Sequence, residues 1–100
     1  MINGCAYHAA STINALRRLE HGLRKRRETP YLREKMRLTS IHFNSMLNEC
    51  NDFDNEIKVK KLLEKLDNLE KCVFSLNLGG NYVSCIDNIP IREFFEILEK

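Results

Sequence analysis

From Ala6 to Arg27 the positions Ala9, Thr12, Ile13, Leu16, Leu19 and Leu23 form one stripe. At 100° per residue they fall within about a third of a helical wheel, which predicts an amphipathic helix. Arg17, Arg18, His21 and Lys25 stand opposite the stripe, and Arg26 and Arg27 come in the last turn, where cations oppose the negative end of the helix dipole. Thr29-Pro30 then reads as an N-cap followed by a first-turn proline, so a second helix should begin there. Its main face is Leu32, Met36, Thr39, Phe43, Met46, Leu47 and Cys50, while Tyr31, Leu38 and Ile41 make a second apolar strip roughly opposite. A helix apolar on two sides needs two partners, and one of them could be another subunit.

The polar run Asn51 to Asn55 breaks this pattern, and Asp52 or Asp54 can cap a third helix. Val59, Leu62, Leu66, Leu69 and Val73 then recur at helical steps, with lysines and acids interleaved on the other side. After Lys71 the period changes. With Gly79-Gly80 as a two-residue turn, Phe74, Leu76, Leu78, Val83 and Cys85 share one side of a β-hairpin spanning about residues 73–86. The competing reading carries the third helix through Leu76 and stops it at Gly79, but Val, Phe, Tyr and Ile favour the hairpin. Asp87-Asn88 and Pro90 mark the entry to a short last helix with Ile91, Phe94, Phe95 and Leu98 as its apolar residues. The expected fold is therefore mostly helical α+β in a single domain, 1–100: three amphipathic helices, a β-hairpin and a short C-terminal helix.

Composition supports a folded chain, with 43% hydrophobic and 30% charged residues, too apolar for disorder and too interrupted by charge for a membrane span. The net charge of +2 conceals a division, since residues 1–50 carry 9 basic and 4 acidic groups and residues 51–100 carry 7 and 10. A polyanion at the basic end and head-to-tail self-association both suit such a chain. Cys5, Cys50, Cys72 and Cys85 form no C-x-x-C pair, and MINGCAYHAAS lacks the apolar run of a secretory signal. Four reduced thiols in a cytoplasmic, reducing setting are expected.

Catalytic and cofactor chemistry finds little purchase. The glycines do not make a phosphate loop, and the acids from Asp52 to Glu56 lack the turn glycine and terminal glutamate of a calcium loop. Cys5 and His8 could face one metal from a helix, but no second close pair joins them. No catalytic residue, metal or cofactor is therefore expected, and Cys50 and Cys85 read as small core residues.

The functional expectation is a small non-enzymatic regulatory protein that binds a protein partner through a helical and dimeric surface, using Tyr31, Leu38 and Ile41. The alternative is a nucleic-acid-binding regulator. The order of helix, turn, helix and hairpin is analogous to a winged helix, or a basic helix pair could hold phosphates with Arg17, Arg18, Lys25, Arg33 and Arg37. Neither a membrane nor a small-molecule substrate is implied.

Overall fold

A computed structural model describes residues 4–50 and 56–98 of the chain. Helix α1 (Gly4–Arg24) and helix α2 (Thr29–Glu49) run antiparallel and make the most extensive contact in the molecule. Thr12, Ile13, Leu16, Leu19 and Leu23 are buried on α1, as are Leu32, Met36, Thr39, Phe43 and Met46 on α2, so both main stripes face the core. Ala15 and Gly22 are buried as well, because small residues let two helix axes draw close. A Cβ placed on Gly22 would come within 2.9 Å of both Leu32 and Tyr31. The fully buried Thr12 and Thr39 hydroxyls donate to the carbonyls of His8 and Lys35, at 2.7 and 2.8 Å. These back-bonds to the preceding helical turn satisfy groups that burial would otherwise leave unpaired.

The α1–α2 connection is closed by its own backbone. Arg26 takes a left-handed conformation, φ 52°, which lets the Arg27 amide donate to the Gly22 carbonyl at 2.9 Å and the Arg26 amide to Leu23 at 3.2 Å. This is the terminating pattern usually given to glycine. The start of α2 lies one residue earlier than the sequence implies: Thr29 is already helical, and Glu28 is the N-cap, with no side-chain capping bond. The Glu28 carbonyl accepts from Tyr31 and Leu32, and Pro30 sits in the first turn, where its missing amide forfeits no helical bond.

Helix α3 (Glu56–Phe74) packs on α2 through a buried line of Leu62, Leu66, Leu69 and Val73. The cap expected from Asp52 or Asp54 lies outside the described residues. Where a β-hairpin was expected over about 73–86, the chain is helical, and no strand occurs among the described residues. Val73 and Phe74 finish α3, Leu76–Leu78 form a single 3-10 turn, and helix α4 spans Tyr82–Asp87.

Local hydrogen bonding explains the difference. Gly79 is left-handed at φ 89°, and the Gly80 amide donates back to the Ser75 carbonyl at 3.0 Å, so the two glycines stop a helix instead of turning a hairpin. Asn81 then caps α4, its side-chain oxygen accepting from the amides of Val83 and Ser84 at 2.8 and 3.4 Å. The supposed apolar side of the hairpin divides: Leu76 and Cys85 are buried, whereas Phe74, Val83 and Leu78 are exposed, Leu78 at 88%. The winged-helix analogy loses its wing with the hairpin.

Helix α5 (Ile91–Leu98) starts after the buried Pro90 and packs on α3. Phe94 and Ile97 are its buried residues, and Phe95 remains exposed. The Phe94 ring meets Phe43 of α2 with centroids 6.1 Å apart, and Lys65 of α3 pairs with Glu93 at 3.1 Å.

All four cysteines are paired, which corrects the expectation of free thiols. Cys5 is bonded to Cys50 across the open end of the α1–α2 hairpin, and Cys72 of α3 to Cys85 of α4. Partners 45 and 13 residues apart in sequence share no spacing motif; antiparallel packing brings them together. The cytoplasmic expectation rested in part on reduced thiols and loses that support. Among the described residues no helix is long and apolar enough to cross a membrane.

Candidate functional site

The α1–α2 seam has two sides. One is closed by α3 and α4; along the other, Ser11, Asn14, Ala15 and Arg18 of α1 face Lys35, Leu38 and His42 of α2 across a shallow cleft. The helical period places these residues. On α1, Ser11 and Arg18 stand seven residues apart and so differ by only about 20° around the helix axis. On α2, Tyr31, Lys35, Leu38 and His42 are separated by steps of four, three and four, so they form one ridge.

At the turn end of this side Tyr31 is flanked by cations. The Arg27 guanidinium lies 4.2 Å from the ring centre and the Lys35 ammonium 5.0 Å. Tyr31 is only partly buried and packs against the core, and Arg26, Arg27 and Glu28 line an open hollow beside it. Toward the other end, the His8 and His42 rings approach with their Nδ1 atoms 3.3 Å apart. Tyr7 stands edge-on to both, at centroid distances of 5.0 and 6.1 Å.

The expected partner surface of Tyr31, Leu38 and Ile41 is thus unevenly presented. Tyr31 and Leu38 are half-buried along the seam, and α1 of the same chain covers part of each. Ile41 is turned outward, 45% exposed. α1 supplies much of the cover that the second strip of α2 was expected to take from another subunit.

The five cations proposed for phosphate contacts are not brought together. Arg18 lines the cleft, and Lys25 follows the end of α1 in the turn. Arg17 is one residue from Arg18 and therefore turned about 100° away. Arg33 points to the α3 side, its guanidinium 5.1 Å from the centre of the Phe74 ring. Arg37 is held by Glu34, with Nε donating to one carboxylate oxygen at 2.9 Å and Nη2 to the other. That bond, opposed by desolvation and helped by the Arg37 and Lys35 charges, keeps the Glu34 carboxyl below its usual range, and the same bond with the Glu34 charge raises Arg37.

The flanking of Tyr31 by Arg27 and Lys35 and the meeting of His8 with His42 were not read from the sequence. The four-three-four spacing of Tyr31, Lys35, Leu38 and His42 carried part of that signal, but it becomes legible only once α1 and α2 are known to pair antiparallel. The metal-facing pair Cys5 and His8 does not arise, because Cys5 is bonded to Cys50. Among the described residues no group of three or more His, Cys, Asp or Glu side chains is placed to hold a metal. No protein-family model, curated protein or solved structure matches the chain.

Proposed function

We propose that the chain is a small non-enzymatic regulator that binds a protein partner along the open side of the α1–α2 seam, and that the partner presents an acidic segment carrying apolar residues. The observation that supports this reading is the make-up of that side: Tyr31 and Leu38 offer half-buried apolar surface among Arg18, Arg27 and Lys35. Apolar contact gives such a surface affinity, and opposite charge gives it register and a faster encounter. A nucleic acid would call for a continuous row of cations on one face. Here Arg37 is committed to Glu34, Arg33 lies over Phe74, and Arg17 is turned from the cleft.

Anisotropy of a labelled peptide of alternating Glu and Leu blocks, set against duplex DNA of equal charge, tests the reading. Arg18→Glu with Lys35→Glu should weaken peptide binding at least about tenfold, and Leu38→Glu should weaken it while circular dichroism stays unchanged. Preference for DNA, lost on Arg33→Glu with Arg37→Glu, would favour the basic-helix alternative. Sedimentation showing a dimer that Leu38→Glu dissolves would make a second copy the occupant instead.

A further inference from the structure

We propose that His8 and His42 form a two-nitrogen site for a divalent transition metal of the imidazole-preferring class, Zn²⁺, Cu²⁺ or Ni²⁺. The two Nδ1 atoms, one from each helix, lie 3.3 Å apart. Tetrahedral Zn²⁺, about 2.0–2.1 Å from each nitrogen, requires donors about 3.3–3.4 Å apart, so the two nitrogens already span one edge of that tetrahedron, whereas square-planar Cu²⁺ or Ni²⁺ would draw the rings closer together. The rings are tilted by 37° with centroids 5.5 Å apart, which leaves them neither stacked nor coplanar.

Two Nδ1 atoms at this distance face each other in one of two ways. Either one imidazole donates its Nδ1 proton to the other, or both carry their proton on Nε2 and turn two lone pairs to the same point. The metal takes the second arrangement, and no proton need leave the pair, because the donor ring only exchanges one tautomer for the other. The backbone fixes the spacing from both sides. The Cys5–Cys50 bond lies one turn along α1 from His8, and the His8 carbonyl accepts from Thr12.

The surroundings set the character of the site. Tyr7 shields one flank, and His42 borders the cleft that also contains Arg18 and Lys35. Glu49 lies beside Gly4, at the far end of α1 from that cleft's cations. With two protein ligands, two coordination positions are left to water or to an anionic co-ligand, which the Arg18 and Lys35 charges favour. Binding is therefore reversible and strengthens the grip between α1 and α2, and the inference does not rest on the partner reading above.

The test uses the full oxidised chain with the metal ion alone. Calorimetric titration with Ni²⁺, Cu²⁺ or Zn²⁺ should give one equivalent bound and a rise in melting temperature. His8→Asn or His42→Asn should each weaken binding at least about tenfold, as the loss of one of two ligands implies. Because a variant can perturb the fold, paramagnetic broadening of the unmodified chain provides a second readout: substoichiometric Cu²⁺ should first broaden the ring signals of His8 and His42. Broadening centred on His21, binding unaffected by both substitutions, or binding only after reduction of the disulfides would each overturn the proposal.

Discussion

The Arg26 guanidinium lies 5.0 Å from the centre of the Tyr82 ring, carried by a residue whose backbone is left-handed at φ 52°. The contact ties the α1–α2 turn to α4. A side chain in that backbone region costs about 1–2 kcal/mol, and an exposed cation over an aromatic ring returns about 0.5–1 kcal/mol. Arg26→Gly should therefore raise stability slightly, by up to about 1 kcal/mol. In a Tyr82→Leu background the same change should gain more, because no ring contact remains to be lost. Urea unfolding of the four chains checks this.

The Gly79-Gly80 stop makes a different pair of demands. A Cβ at Gly79 would meet nothing within 4 Å, so Gly79→Ala suffers only the left-handed backbone, about 1–2 kcal/mol, and Gly79→Asn less. At Gly80 a Cβ would fall 2.5 Å from the Ser75 hydroxyl and 2.8 Å from its carbonyl oxygen. Gly80→Ala should therefore destabilise, and Ser75→Ala should rescue it only in part because the carbonyl remains. Melting temperatures of these variants decide the order.

The disulfides should contribute unequally. By restricting the unfolded chain, closing a loop of 45 residues stabilises the fold by about 4 kcal/mol, and closing one of 13 by about 3 kcal/mol. Replacing Cys5 and Cys50 by Ser should thus destabilise more than replacing Cys72 and Cys85. A thiol titration of the native chain under denaturing, non-reducing conditions should find no free thiol, and denaturant midpoints of the two double variants should rank as stated.

Glu34 and Arg37 predict a small acid-side effect. The Glu34 pKa is lowered in the folded chain, mainly by the hydrogen bond from Arg37, so the stabilisation is present above the ordinary value of 4.5 and is lost as pH falls through the lowered one. Arg37 stays charged throughout. Wild type and Glu34→Gln should differ slightly near neutral pH and converge in acid, with the difference erased by salt because the pair is exposed. Melting curves across the acid range at two ionic strengths measure it.

Much of the helical scaffold is legible in the amino-acid pattern. The stripes of α1, α2 and α3 are visible because each buries one face at a fixed period, and Leu16, Leu32, Phe43, Leu62 and Leu69 lie in the core. The hairpin failed because Phe74, Leu76, Leu78, Val83 and Cys85 satisfy alternation as well as helical spacing over so short a run. Asn81 was the missed discriminator: as an N-cap it accounts for a helix beginning at Tyr82, whereas in a hairpin it would simply come after the turn.

The sequence by itself determined where apolar faces run along each helix, because amphipathic period and terminating residues are local properties of the chain. Only the tertiary structure decided which residues meet across helices: Cys5 with Cys50, Cys72 with Cys85, His8 with His42, and Arg26 with Tyr82. Those encounters depend on the relative height and rotation of antiparallel helices. The bonds at the Arg26 and Gly79 closures set how the flanking helices enter and leave, and no spacing within a single helix encodes the resulting register.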